Sequence, residues 1–213
     1  MSEYHKIPTI YARDPATNYH TMIVGEFATP ELDYLQNNVW EFTEKVDGTN
    51  IRVIYKDGLI TFGGKNDNSE MPDFLRAKLT EMFLPLHPAF VSQFNDAEVC
   101  LYGEGYGARI QKVGVSYRRD QSFVLFDIRI GYWWLQRKDV DEIAKKLGLE
   151  SVPVIGEGTL HEMIAKVKVG FNSIWGDFMA EGIVARPKVE LMARNGKRVI
   201  AKMKHKDFFP ETK

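Results

Sequence analysis

The chain has 213 residues, of which 44% are hydrophobic, 12% aromatic and 27% charged. This composition excludes a disordered or fibrous protein and predicts a single domain over residues 1–213, with a substantial core on which the N-terminal segment 1–40 packs. The formal net charge of −1 gives no overall attraction to a polyanion, so any contact with nucleic acid must use a local basic surface.

No stretch approaches the roughly 20 apolar residues that cross a bilayer, and the N-terminus lacks a basic segment followed by an apolar run. A soluble, cytoplasmic protein with no membrane partner is therefore expected. The single cysteine, Cys100, excludes a disulfide framework and is expected to be buried and inert. The five histidines have no metal-binding spacing, so a structural zinc site is not expected.

The first clear strands are predicted within residues 40–64, which are rich in β-branched and aromatic side chains. Asp47-Gly48 and Asp57-Gly58 each predict a hairpin, because both residues of such a pair tolerate positive φ. A helix follows over residues 72–83, where apolar side chains recur at helical spacing. Two further strands are predicted in "AEVCLYGEG" and "SFVLFDIRI".

The last third of the chain predicts two helices and two strands. The first helix ends at Gly148, and the second begins at Thr159, where Glu162 completes a capping box. The strands "EGIVARP" and "RVIAKMK" flank Asn195-Gly196, another hairpin signal. The predicted fold class is α+β, with mostly antiparallel sheets flanked by helices.

The glycine cluster "YGEGYG", residues 102–107, has two interpretations. A dinucleotide-binding loop requires GxGxxG at the start of a helix, and the continuation "ARIQKVGVSYRR" has no convincing helical face. Glycines also allow a ligand to approach the backbone closely, and Glu104 between them is an acceptor suited to ribose hydroxyls. A solvated turn glutamate is the alternative for Glu104.

Lys45, in "EKVDGTN", is either a solvated charge beside a turn or a nucleophile. A lysine attacks only as the neutral amine, and a reference pKa of about 10.4 makes that form cost about 4.6 kcal/mol at pH 7. Neighbouring cations and desolvation lower this cost. Lys202 and Lys204 alternate along a predicted strand, so both amines project from one face, and Lys65 follows a Gly-Gly pair. Such cations can also hold a triphosphate.

Five short motifs follow one another along the chain: "KVDGTN", "LYGEGYG", "FVLFDIR", "EGIVAR" and "AKMK". Their residues and their order resemble those of the covalent nucleotidyltransferase superfamily, which comprises polynucleotide ligases and messenger-RNA capping enzymes. The asparagine of "KVDGTN", the YGE sequence and the FDI triplet favour the RNA ligase branch, especially enzymes that seal nicked double-stranded RNA. The resemblance implies an ATP-grasp-like nucleotidyltransferase domain of the ligase type. The residues that match are Lys45 and Asn50 in "KVDGTN", Glu104 in "LYGEGYG", Phe126 and Asp127 in "FVLFDIR", Glu181 in "EGIVAR", and Lys202 and Lys204 in "AKMK".

The resemblance implies a three-step reaction. Lys45 takes AMP from ATP as a phosphoramidate and then passes it to a 5′-phosphate end. A 3′-hydroxyl finally displaces AMP and seals the strand. Mg²⁺ is the implied cofactor beside ATP, and Mn²⁺ is an expected substitute. The implied roles are a purine stack for Phe126, a ribose acceptor for Glu104, other nucleotide contacts for Glu44 and Asn50, phosphate neutralisation for Lys65, Lys202 and Lys204, and metal binding, directly or through water, for Glu181 and Asp127.

The expected partner is RNA or a nicked duplex with 5′-phosphate and 3′-hydroxyl ends, contacted by Lys112, Arg118 and Arg119. The chain leaves no room for an appended oligonucleotide-binding barrel or helical C-terminal domain. A monomer is expected, and three alternatives stay open: a minimal, self-contained ligase, a core that relies on an accessory protein in trans, or a domain of a longer protein. A DNA ligase and a GTP-dependent capping-type guanylyltransferase are alternatives, although both usually carry arginine at the position of Asn50. A non-catalytic nucleic-acid-binding module is disfavoured by the joint presence of all five motifs.

Overall fold

The computed structural model describes residues 3–209, which divide into two compact units. The central unit comprises residues 3–4 and Asp47–Val152, and the terminal unit comprises His5–Val46 and residues 153–209. The chain passes between them after Tyr4, after Val46 and after Val152. The prediction of one domain over residues 1–213 stays a prediction.

The described part of the chain contains twelve strands, six α-helices and three short 3-10 helices. The strands are β1 (Tyr11–Arg13), β2 (Met22–Phe27), β3 (Trp40–Lys45), β4 (Thr49–Lys56), β5 (Leu59–Gly63), β6 (Val99–Gly107), β7 (Gln121–Ile130), β8 (Trp133–Trp134), β9 (Glu150–Ser151), β10 (Val154–Gly158), β11 (Gly182–Pro187) and β12 (Ala201–Lys204). The α-helices are α1 (Pro30–Tyr34), α2 (Asp73–Phe83), α3 (His87–Phe94), α4 (Gly114–Tyr117), α5 (Arg137–Leu147) and α6 (Leu160–Val169). Short 3-10 helices cover Pro15–Thr17, Leu84–Leu86 and His205–Asp207. Within residues 3–209, no helix is long and apolar enough to cross a membrane.

The central unit is an antiparallel sheet in the order β5-β4-β6-β7-β8, with β9 added parallel to β7. Because side chains alternate along a strand, Ile51 and Val53 of β4 enter the core while Asn50 and Arg52 lie on the opposite face. The core contains the buried face of α2, α3 and α5, including Leu79. This leaves the second face of the sheet for the polar residues of the candidate site.

The terminal unit is built on the antiparallel sheet β10-β3-β11-β12, and β1 pairs with β2 in a separate ribbon. Trp40 and Phe42 of β3 are buried with Leu160 and Met163 of α6. The predicted capping box at the start of α6 is confirmed, because Thr159 and Glu162 bond each other's backbone N–H groups. The alternate residues of β3 and β12, including Lys45, are only partly buried.

One of the predicted hairpins is wrong. β3 pairs with β10 and β11, whereas β4 pairs with β5 and β6, so Asp47-Gly48 joins strands of two different sheets. Neither residue has a positive φ. Gly48 is needed for another reason: a Cβ there would collide with the carbonyl oxygen of Gly105 on β6. Glycine at this position permits close approach of two backbones rather than a tight reversal of the chain.

The other turn and helix predictions are confirmed. Asp57 and Gly58 have φ of 50° and 72° and join the paired strands β4 and β5. Gly196 has a φ of 77° in the connection from β11 to β12, and α2 and α5 occupy the predicted helical segments.

Cys100 is fully buried, and burial raises the pKa of its thiol to about 11, which keeps it protonated and unreactive.

Candidate active site

Two of the predicted lysines share one carboxylate in the terminal unit. Glu181 Oε2 lies 2.6 Å from Lys45 Nζ, and Glu181 Oε1 lies 2.6 Å from Lys204 Nζ. The Glu181 side chain is only 9% exposed, and the two lysines are 19% and 25% exposed. Partial burial excludes much of the water that would screen these charges, so each pair is stronger than a surface ion pair.

The sheet register explains this cluster. Gly182 of β11 lies directly opposite Lys45 of β3 on one side and opposite Lys204 of β12 on the other. A Cβ on Gly182 would collide with the carbonyl oxygen of Met203, so a residue with a side chain would push β12 away from β11. Lys202 lies two residues before Lys204 and is partly buried on the same side of β12, opposite Val184.

Glu44 precedes Lys45 and lies on the other face of β3, where its side chain is 1% exposed. Its Oε2 accepts a hydrogen bond from the Ile174 N–H at 3.0 Å, and Ser173 also bonds the carboxyl group. Burial raises the pKa of Glu44, and the bonds from Ser173 and Ile174 oppose this only in part. Glu44 Oε1 is buried and has no hydrogen-bond partner among residues 3–209.

In the central unit, two predicted nucleotide contacts lie opposite each other. Asn50 of β4 pairs in register with Glu104 of β6, on the face of the sheet away from the helices. The Oδ1 atom of Asn50 is buried and has no hydrogen-bond partner among the described residues. Because buried polar atoms are normally bonded, this acceptor is suited to a donor from a bound molecule, such as a hydroxyl group.

Phe126 is the extra residue of a β-bulge in β7. Tyr102 of β6 lies opposite Asp127, but the next residue, Gly103, lies opposite Leu125. Bulges redirect a side chain relative to the regular alternation of the strand. Phe126 is half-buried and lies outside the apolar core that contains Leu125.

Asp127 is fully buried, and its carboxylate is used within the central unit. Oδ2 accepts a hydrogen bond from the Tyr4 hydroxyl at 2.7 Å, and Oδ1 accepts one from the Ile128 N–H at 3.1 Å. These surroundings favour a structural role over direct metal binding.

Glu181, the other predicted metal ligand, belongs to the terminal unit. Within residues 3–209, no group of three or more histidine, cysteine, aspartate or glutamate side chains could hold a metal ion.

Lys65 is exposed in the loop after β5, and a buried arginine holds that loop. Arg52 is 1% exposed, and its Nε donates to the carbonyl of Gly64 at 2.8 Å. Its Nη2 pairs with Asp67 at 2.7 Å. Sequence reasoning missed Arg52, although a charged residue between the apolar residues of a predicted strand was a usable signal.

The three predicted nucleic-acid contacts differ in their surroundings. Lys112 and Arg119 are exposed, whereas Arg118 makes a two-point contact with Asp120, at 2.6 Å from Nε to Oδ1 and 3.1 Å from Nη2 to Oδ2. The Arg118 guanidinium also lies 6.0 Å from the centre of the Tyr106 ring. Arg118 therefore holds its own loop, which leaves Lys112 and Arg119 more accessible to a ligand.

Sequence reasoning also missed two residues that fix the link following Lys45. The Asp47 N–H donates to the Tyr117 hydroxyl at 3.1 Å, and Gln111 Nε2 donates to the Gly48 carbonyl at 2.9 Å. Gly107, with a φ of 113°, lets the segment that carries Gln111 and Tyr117 turn back, because a Cβ there would strike the carbonyl of Asp120. Backbone contacts of this kind leave no motif in a single sequence.

Solved structures of the RNA ligase of Naegleria gruberi share this fold. A variant with ATP and Mn has a TM-score of 0.63 and 21% identity, and the alignment covers 82% of this chain and 52% of that chain. A variant with AMP and Mn has a TM-score of 0.60 and 20% identity, covering 95% and 57%. The structure with PPi has a TM-score of 0.61 and 22% identity, covering 94% and 61%. The chain thus spans between half and two thirds of the length of these relatives.

The two antiparallel sheets with flanking helices, and their likeness to these structures, define a fold of the nucleotidyltransferase type. The predicted α+β class is thereby confirmed. The chain belongs to the RNA ligase family, since the model of that family matches residues 38–204. A comparison with curated proteins finds no match.

Proposed function

We propose that this protein is an ATP-dependent RNA ligase that works through AMP bound covalently to Lys45. The observation that carries the proposal is the cluster in which Glu181 bonds both Lys45 and Lys204 at 2.6 Å. Membership of the RNA ligase family supports it. The relatives with ATP, AMP and PPi support it further, because these are the substrate, the transferred group and the leaving group of lysine adenylylation.

In the first step the neutral Nζ of Lys45 attacks the α-phosphorus of ATP. An N–P bond forms, the nitrogen loses one proton to solvent, the bond from the α-phosphorus to the bridging oxygen breaks, and pyrophosphate leaves with the electron pair. The ion pair with Glu181 favours the ammonium form of Lys45, so this pairing must be released before attack. Lys204 remains as a second cation that opposes a charge on Lys45 and stabilises the negative charge developing on phosphate.

In the second step a 5′-phosphate oxygen of the RNA attacks the same phosphorus, the N–P bond breaks, and the nitrogen of Lys45 takes a proton from solvent and leaves as the amine. In the third step a 3′-hydroxyl attacks the 5′-phosphate, loses its proton and displaces AMP. Lys202, Lys204 and Lys65 are suited to neutralise phosphate charge in these steps. Asn50 and Glu104 would bond ribose hydroxyls, and Phe126 would stack on adenine.

A divalent cation fits one part of this site. Glu181 is a partly buried carboxylate, and Mg²⁺ often binds proteins through one or two carboxylates while keeping several waters. When bound, Mg²⁺ or Mn²⁺ would neutralise phosphate charge and polarise the α-phosphate. Asp127 is left out of this proposed metal site, because its carboxyl group is fully buried and bonded to Tyr4 and Ile128. The carboxylate of Glu181 is partly exposed, and in the proposed reaction its lysine partners turn to the phosphates.

The decisive experiment follows radiolabelled ATP. The protein is incubated with Mg²⁺ and ATP labelled at the α-phosphate, denatured at neutral pH and scored for bound label; ATP labelled at the γ-phosphate must give none. Lys45→Ala should abolish labelling, because the nucleophile is gone. Lys188→Ala removes an exposed lysine paired with Glu157 and should leave labelling unchanged.

Other outcomes separate the alternatives. Label from GTP instead of ATP would support a capping-type guanylyltransferase, and no adduct with either nucleotide would contradict the whole proposal. The adenylylated protein is then given nicked RNA, nicked DNA and hybrid duplexes with 5′-phosphate ends. Accumulation of adenylylated RNA without sealing would identify a core that needs a partner in trans.

A further inference from the structure

We propose that Tyr4 is a positioning residue that sets the orientation of Phe126 for adenine. This inference rests on the proposed function of Phe126. Tyr4 precedes residues 38–204, the part of the chain that matches the family model, so none of the five motifs contains it. It nevertheless belongs to the central unit, where its ring and its hydroxyl both contact residues of the candidate nucleotide site.

The ring of Tyr4 lies among three other aromatic rings. Its centroid is 5.0 Å from that of Phe126 at an interplanar angle of 74°, so the two rings meet edge to face. The Tyr102 and Trp134 rings lie 5.1 Å and 5.6 Å from Tyr4. Such edge contacts define the plane of a ring more strictly than aliphatic packing does. Phe126 therefore has its tilt limited on the side that Tyr4 contacts.

The hydroxyl of Tyr4 fixes the neighbouring residue of the same strand. It donates to Asp127 Oδ2 at 2.7 Å, and Asp127 is fully buried. A hydrogen bond in such a buried, low-dielectric environment is stronger than the same bond in water. Asp127 directly follows the bulged Phe126, and a bulge lacks the regular ladder that would otherwise fix the strand. Tyr4 supplies the missing restraint through both its ring and its hydroxyl.

Two variants separate these contributions. Tyr4→Phe keeps the ring and loses the bond to Asp127, whereas Tyr4→Leu loses both. In the labelling assay we expect the KM for ATP to rise about threefold in Tyr4→Phe, because one buried hydrogen bond is lost. We expect it to rise about tenfold in Tyr4→Leu, because the stack on adenine is misaligned. The maximal rate should change less than KM in both variants.

Inorganic tripolyphosphate provides the readout that distinguishes positioning from general damage. It carries no base, so its inhibition constant should be unchanged in both Tyr4 variants. Tyr132→Phe is the matched control, because Tyr132 lies in the same unit and is 91% exposed. In a Phe126→Leu background, Tyr4→Leu should add less than about a further twofold to KM, since coupled residues are not additive.

An unchanged KM in Tyr4→Leu, or an equal loss of ATP and tripolyphosphate binding, would overturn the inference. Near-UV circular dichroism checks folding, and Tyr4→Phe remains informative if Tyr4→Leu does not fold. If the wild-type protein forms no adduct, the proposed function fails by itself. Calorimetric titration of ATP into the wild-type and Tyr4 proteins then tests Tyr4 separately, and equal Kd values would reject its role.

Discussion

At the scale of single residues, the charge state of Lys45 is the property on which the proposed chemistry depends. Glu181 lies between two ammonium groups, so the three side chains together carry one net positive charge when all are ionised. A phosphate group entering this cluster meets that charge and competes with Glu181 for the lysines. In the proposed reaction, breaking the pair between Glu181 and Lys45 would therefore be part of nucleotide binding as well as of attack.

Glu44 offers a residue-scale prediction about stability and pH. Its folded pKa is raised above the ordinary value of 4.5, so the folded state holds the proton more tightly than the unfolded chain. Stability from this group is therefore present below pH 4.5 and falls as pH rises through the raised pKa. Glu44→Gln, which mimics the protonated form, should raise the melting temperature relative to wild type by more at pH 8 than at pH 4.

Glu162 is a control of opposite sign for this experiment. Its bonds from the Thr159 N–H and hydroxyl hold the pKa of Glu162 below its usual range, so its contribution is lost as pH falls. Glu162→Gln should therefore lower the melting temperature at pH 8 and have little effect at the acid end. Parallel pH profiles of the two variants in thermal unfolding would contradict this assignment.

At the scale of elements, local signals predicted the helices and the tight turns, and failed where pairing is not local. The capping box at Thr159 and the hairpin at Asp57-Gly58 depend on residues within one turn of each other, so the sequence contains the whole cause. Asp47-Gly48 is the same pair of residues and also lies between two strands. What distinguishes it is the contact of Gly48 with Gly105, which lies far along the chain.

The two glycines give an element-scale prediction that separates these explanations. At Gly58 a Cβ meets nothing within 4 Å, but φ is 72°, so Gly58→Ala should cost about 1 kcal/mol and Gly58→Asn less. At Gly48 the obstacle is the backbone of β6, so alanine and asparagine should both cost about 3 kcal/mol. Chemical denaturation measures all four variants. Recovery of stability in Gly48→Asn would restore the hairpin interpretation.

At the scale of the whole molecule, the motifs in the sequence name candidate site residues, whereas the contacts that support these residues follow only from the fold. The motifs place candidate residues in both units. The proposed role of Glu181, for example, depends only on a lysine lying beside it. The bulge at Phe126, the buried bonds of Asp127 and the contact from Tyr4 all depend on register and on tertiary packing. No periodic pattern in a single sequence predicts such contacts. The sequence therefore could not show that the Asp127 carboxyl group accepts hydrogen bonds from Tyr4 and Ile128.

Because the net charge is −1, the proposed binding of RNA must depend on particular basic side chains, and this leads to a prediction for the whole molecule. Each phosphate contact releases condensed counterions, so log Kd changes with log salt with a slope set by the number of contacts. Lys112 and Arg119 are exposed, and alanine at either should weaken binding of nicked RNA and reduce the slope by about 0.9. Arg118 already pairs with Asp120, so Arg118→Ala should change the slope less.

The measurement is the Kd for a nicked RNA duplex at four or more salt concentrations for each variant. Lys138→Ala on α5 is the matched control, because Lys138 is an exposed lysine of the same unit outside the loop that carries Lys112. Its slope should equal that of the wild-type protein. If Lys112→Ala and Arg119→Ala also keep the wild-type slope, the duplex binds elsewhere, and the segment of Gln111 and Tyr117 serves only to hold Asp47 and Gly48.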